Sequence, residues 1–209
     1  FPKHSDQKEN THTSCLEMFT LKKLLPYTMA AILLSATASL PAVAAYEYDE
    51  PRTENERIEL IDRLIVENQW RDALKHIAQA LKHNPQNVQL KFKRAVIYSR
   101  MGDNPTAKRY FNELIRSYPE IVEPYNNLAA IYASEGNLSK ARELLLQAVT
   151  VNPNFSMGYE NLGDLALQGK NPDTAQALQY YEKAASLAPD DKVLARKLKA
   201  FKKHLDQNS

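Results

Sequence analysis

Pro85, Pro119 and Pro153 stand 34 residues apart, and Pro189 follows 36 residues after the third. A fixed period of this length points to one helical hairpin repeated and stacked, and away from a chain wrapped around a single globular core. Proline cannot continue a helix interior and disfavours helix at the residue before it, so each one marks a boundary between hairpins. Ahead of each proline the same kinds of residue recur at the same offsets. In 122–155 they are Tyr125, Leu128, Ala129, Tyr132, Ala141, Leu145 and Ala148. In 156–190 they are Tyr159, Leu162, Gly163, Ala177, Tyr181 and Ala184. Segment 88–121 has Ala95, Tyr98, Ala107, Phe111 and Leu114, but Arg94 where the others place leucine. Segment 54–87 has Leu60, Ile61, Leu64, Ala73, Ile77 and Ala80, with Arg57 in the slot of the first aromatic. An atypical end repeat is expected, because its outer face meets solvent.

The spacing has a physical cause. Small residues let the two helices of a hairpin approach closely, and large ones fill the space toward the next hairpin. Gly102 and Gly136 fall where a first helix should end, a C-cap use of glycine, and Asn68 takes that place in the first hairpin. The stretch 168–176 is two residues longer than its counterparts and holds Asn171, Pro172, Asp173 and Thr174, which predicts a lengthened hairpin loop. Beyond Pro189, Val193, Leu194, Leu198, Phe201 and Leu205 form an apolar stripe at helical spacing, as a helix covering the end of a stack requires. The expected fold is all-α: four helical hairpins (54–87, 88–121, 122–155, 156–190), then a capping helix and tail (191–209). That makes nine helices and no strands.

The front of the chain reads as an address. Lys22 and Lys23 precede an apolar stretch, 29–40, and Ala42, Val43 and Ala44 form a small-residue cleavage signature, with Val43, Ala44 and Ala45 the adjacent option. Residues 18–45 therefore have the three-part form of a secretory signal peptide. A retained membrane anchor is the rival reading, but a run of about a dozen residues is short of the roughly 20 that a spanning helix needs. Residues 1–17 are expected to be a spurious or disordered leader ahead of Met18, and 46–53 a short linker. Cys15, the only cysteine, lies in that leader, so the exported part would hold no disulfide and no lipid-attachment cysteine. The expected location is periplasmic.

Formal charge is +2, from 27 basic and 25 acidic residues, but its distribution is uneven. Segment 192–204 carries Lys192, Arg196, Lys197, Lys199, Lys202 and Lys203 and no acid, ending on His204. It is the candidate for a peripheral membrane contact, or else a solvated face with cations suited to a helix C-terminus. A secretory address disfavours nucleic acid as a partner. No catalytic constellation stands out. His76 and His83, seven apart on one helix, lack the neighbouring carboxylate or cysteine of a metal site and are expected on the surface. No glycine-rich phosphate loop or nucleophile elbow is present, so neither an enzyme nor a cofactor is expected.

The slot pattern resembles the tetratricopeptide repeat. The run PYNNLAAIYASEGNLSKARELLLQAVTVNP, followed by YENLGDLA, is similar to secreted, periplasmic tetratricopeptide proteins of proteobacteria. Tetratricopeptide lipoproteins of pilus biogenesis share the architecture, but the lipid-attachment cysteine is missing here. The resemblance implies that the first helix of each hairpin lines a concave groove. The residue before the slot leucine would point into it: Glu59, Lys93, Asn127 and Asn161 in turn. An asparagine amide both donates and accepts, so stacked amides can hold the backbone of an extended peptide without reading its sequence. Asn127 and Asn161 match two rungs of such a ladder. Lys93 would suit a partner carboxylate, and Phe92, Asn126, Ala130, Glu160 and Asp164 would flank the groove. The same residues also fit a helix face that is merely solvated. The implied function is a scaffold holding a protein or peptide partner in envelope assembly. The alternatives are a membrane-associated envelope protein and an accessory subunit of a cell-wall enzyme.

Overall fold

The computed structural model describes residues 53–207. The leader 1–17 with Cys15, the signal segment 18–45 and most of the linker 46–53 lie outside the described residues. Among the described residues the chain forms nine helices and no strand: α1 (Glu54–Val66), α2 (Trp70–His83), α3 (Val88–Arg100), α4 (Asn104–Ser117), α5 (Glu123–Ser134), α6 (Leu138–Val151), α7 (Ser156–Ala166), α8 (Thr174–Leu187) and α9 (Lys192–Gln207). The first eight pair as hairpins α1–α2, α3–α4, α5–α6 and α7–α8, each packed on the next, and α9 packs on α8.

Local chemistry sets the ends of these helices. A capping box opens α1: Glu56 N–H donates to Thr53 Oγ1, and Thr53 N–H donates to the Glu56 carboxylate. Asp103, Asn137 and Asp173 cap α4, α6 and α8 by accepting the N–H three residues on. The first three hairpins turn in the same way. Asn68, Gly102 and Gly136 sit at positive φ (59°, 79° and 79°). The N–H of the following residue returns to the carbonyl five back: Gln69 to Leu64, Asp103 to Tyr98, Asn137 to Tyr132. The fourth hairpin departs from this at the lengthened segment, where Asp173 N–H closes the loop onto the Ala166 carbonyl.

Packing follows the slots. Ala73, Ala107, Ala141 and Ala177, one per hairpin, are all 0% exposed. The facing slot of the first helix is also buried in every hairpin, by Ile61, Ala95, Ala129 and Gly163. The large slot of the second helix is filled by Ile77, Phe111, Leu145 and Tyr181. Size is matched across each hairpin. Opposite Tyr181, the bulkiest filler, stands the one slot without a side chain: a Cβ on Gly163 would lie 2.6 Å from Tyr181 Cε1. Glycine there costs helix propensity of about 1 kcal/mol relative to alanine, and burial of the tyrosine ring offsets it.

Two expectations are corrected. His76 is not a surface residue: it is 8% exposed, on the inward stripe of α2 with Ala73, Ile77 and Ala80, and its Nδ1 lies 3.5 Å from Arg57 Nη1. His83, at the helix end, is exposed. On α9 the inward stripe is Leu194 and Phe201 with Leu198 and Leu205 partly covered, whereas Val193, one position off it, is 51% exposed.

Candidate functional site

Polar side chains link α1 to α3, α5 to α7 and α7 to α9. Lys93 on α3 pairs with Asp62 on α1. Asn161 Nδ2 on α7 donates to Asn126 Oδ1 on α5 at 2.6 Å. Lys197 on α9 reaches back to α7, 3.1 Å from Glu160 Oε1 and in contact with Asp164 Oδ1.

The residues expected to form the groove take different parts in this row. Asn126 and Asn161 make the amide pair, both half-buried, and Asn126 Nδ2 lies 3.7 Å from Met157 Sδ. Asn127 is half-buried and donates to the Glu123 carbonyl of its own helix at 2.8 Å. This leaves Asn127 Oδ1 and Asn161 Oδ1 without a hydrogen bond among the described residues. Ala130 is exposed one turn further along α5. Lys93 is committed to Asp62. Phe92 turns into the core, its ring 5.9 Å from that of Phe111.

Glu160 and Asp164 lie in the joint with α9. Glu160 is 4% exposed, and Asp164 Oδ1 accepts from both Lys197 and the Tyr181 hydroxyl, the latter at 2.6 Å. The Lys197 ammonium stands 4.8 Å from the Tyr181 ring centre, and Phe201 meets that ring edge-on at 5.3 Å. Burial, then the charge and hydrogen bond of Asp164 and the charge of Glu160, push the Tyr181 hydroxyl far above the ordinary tyrosine range. Buried charge is stable only when paired. Lys197, its ammonium against the Tyr181 ring, supplies the pairing here.

Sequence reasoning did not single out Lys197 or Asp62. Lys197 had been counted with the basic face of the last helix; its place beside the Leu194–Leu198–Phe201 stripe is the signal that it turns inward. Among the described residues no group of three or more His, Cys, Asp or Glu is placed to hold a metal ion. Among them, too, no helix is long and apolar enough to cross a membrane. What this row offers is uncharged hydrogen-bonding capacity beside exposed Ala130 and Met157, between an ion pair at one end and a sealed joint at the other.

The family model for the tetratricopeptide repeat matches residues 58–100, 92–156 and 135–192. Human tetratricopeptide repeat protein 6 is 26% identical over 135 residues, which is 65% of this chain and 25% of that protein, so the chain spans a quarter of the relative's length. Among solved structures, pilF of Pseudomonas aeruginosa superposes with a TM-score of 0.62 at 22% identity, over 74% of this chain and 69% of the other. YrrB, described as a tetratricopeptide protein with an unusual peptide-binding site, gives a TM-score of 0.54 at 17% identity, over 70% of this chain and 75% of the other. Both likenesses are of fold.

Proposed function

The chain belongs to the tetratricopeptide repeat family, and from that premise we propose that it is an interaction scaffold holding an extended peptide segment of a partner protein along its row of first helices. The observation that carries this reading is the Asn126–Asn161 amide pair bridging α5 and α7, with Asn127 alongside. Amides in a row can exchange hydrogen bonds with a peptide backbone at little desolvation cost, whereas fixed charges would select particular side chains. Exposed Ala130 leaves room for the chain to lie close, and Met157 offers an adaptable apolar contact. In this reading Lys93 and Asp62 stand at one end of the path, and the α7–α9 joint closes the other.

The signal-like segment 18–45 supports a periplasmic location, where the partner would be an envelope protein under assembly. A second reading rests on α9. Lys192, Arg196, Lys199, Lys202 and Lys203 are all exposed, a cationic face suited to loose, salt-sensitive contact with an anionic membrane.

The test is position-specific photocrosslinking. A photoreactive residue at Ala130, on the first-helix row, should capture a peptide selected against the full chain from a random display library. The same group at Leu146, exposed on the second helix α6, should not. Capture from Leu146 alone would refute the proposed path.

A further inference from the structure

Two slots that should be apolar hold cations in the second hairpin. In the other three hairpins the leucine slot is Leu60, Leu128 or Leu162, each 5% exposed or less. In α3 it is Arg94, and one turn earlier the aromatic slot holds Lys91. Arg94 is half-buried, with its guanidinium carbon 3.9 Å from the centre of the Tyr110 ring. Arg109 lies 4.8 Å from the same centre, and the Tyr98 ring packs on Tyr110 at 5.5 Å. Lys91 stands 5.5 Å from the Tyr118 ring and 3.3 Å from Gln86 Oε1. Among the described residues, none of these three cations has a carboxylate within ion-pair distance. The Nε of Arg94 is buried with no hydrogen-bond partner there. A shallow recess at this seam is lined by Lys91, Arg94, Tyr110, Glu113 and Tyr118.

This is an arrangement that packing alone would reject. Leucine in the slot would satisfy the repeat, and an arginine there leaves, among the described residues, a donor without a side-chain or backbone partner and a charge without a paired carboxylate. The arrangement is coherent if the counter-ion comes from outside. Contact with the Tyr110 ring restrains the Arg94 guanidinium, and a restrained guanidinium edge binds a carboxylate through two parallel hydrogen bonds. We infer that the α3–α4 seam is a receptor for a protruding carboxylate side chain, an aspartate or glutamate of a protein partner. It is separate from the amide row. The half-burial of Arg94 favours a single partner side chain laid against the seam over a flat anionic membrane, which the exposed cations of α9 would meet more readily. Glu113 on the recess wall favours a singly charged carboxylate over a phosphate dianion.

The experiment follows the Arg94 Nε–Hε resonance by ¹⁵N NMR as the full chain is titrated with a capped hexaglutamate peptide, inorganic phosphate and phosphatidylglycerol vesicles in turn. Hexaglutamate should shift that resonance and bind more tightly than phosphate. Arg94→Leu should weaken hexaglutamate binding by about tenfold to a hundredfold, the loss of a charge-assisted pair. It should also raise the melting temperature, because the slot regains its apolar residue. Arg94→Lys, which keeps the charge without the fork, should fall between. In the Asn127→Ala/Asn161→Ala variant, hexaglutamate should still shift the Arg94 resonance even where loss of backbone contacts weakens its overall affinity, so that failure here and failure of the amide-row reading are distinguishable. An unmoved Arg94 resonance, wild-type binding by Arg94→Leu, or a preference for phosphate or vesicles would overturn the inference.

Discussion

Asn126 and Glu160 occupy the same repeat position, 34 residues apart, and meet opposite fates. Asn126 is half-exposed and shares a neutral hydrogen bond with Asn161 on the next first helix. Glu160 is almost fully buried and held by Lys197 from α9. The two differ in what is laid on top. At the α5–α7 joint the neighbour is another repeat, whose side chain stops at the amide. At the α7–α9 joint the neighbour is the capping helix, which drives a lysine between two carboxylates and a tyrosine. A repeat position therefore specifies a direction, and the next helix decides whether that direction is a surface or an interior.

The largest effect should come from breaking the buried joint. Lys197→Met leaves Glu160 and Asp164 without this cation, and removing one partner of a buried pair typically costs about 3–5 kcal/mol. Urea denaturation should show this loss, and adding Glu160→Gln should restore much of it. A cost no greater than that of Asn161→Ala would erase the contrast between the joints. Next comes Gly163→Ala, whose Cβ meets Tyr181 and should cost about 1–3 kcal/mol through overpacking. The equivalent position one repeat earlier already holds Ala129 opposite the smaller Leu145. Gly163→Ala combined with Tyr181→Leu should thus be less damaging than the two single losses added together.

The joint also has a signature in alkali. The unfolded chain releases a tyrosine proton near pH 10. Folded Tyr181 holds its proton to much higher pH, mainly through burial and then through Asp164. Its contribution is complete below about pH 10 and falls by about 1.4 kcal/mol per pH unit above that value. Tyr181→Phe should show a shallower alkaline loss than the wild type in denaturation midpoints at pH 9 and pH 11. The smallest effect belongs to the amide joint. Asn161→Ala removes one half-exposed hydrogen bond and should cost about 0.5–1.5 kcal/mol, with helix content by circular dichroism unchanged.

The fold was legible because its slots are strict. Ala73, Ala107, Ala141 and Ala177 recur at the offset where two helices touch, and no other small-residue spacing explains them. Asn68 was legible as a glycine substitute because asparagine tolerates the left-handed backbone that the turn needs. The site was legible only as a direction. Slot counting placed Phe92, Asn126, Asn127, Glu160 and Asp164 on the first helices. It could not tell that Phe92 would find Phe111 or that Glu160 would lie under α9, since those outcomes depend on the facing helix. Lys197 and His76 escaped for a related reason. Apolar periodicity ranks a lysine or a histidine as polar, although a lysine stem or an imidazole can line a core once its polar atoms are paired.

The central claim, that a partner's backbone lies along the amide row, is tested most directly by calorimetry on the Asn127→Ala/Asn161→Ala variant with a peptide selected against the wild-type chain. Two lost hydrogen bonds of roughly 0.5–1.5 kcal/mol each should weaken affinity about fivefold to a hundredfold. The loss should be similar for peptides of different sequence, because amide-to-backbone contacts do not read side chains. Equal affinity of variant and wild type, with both folded, would contradict the claim and move the binding surface off the first helices.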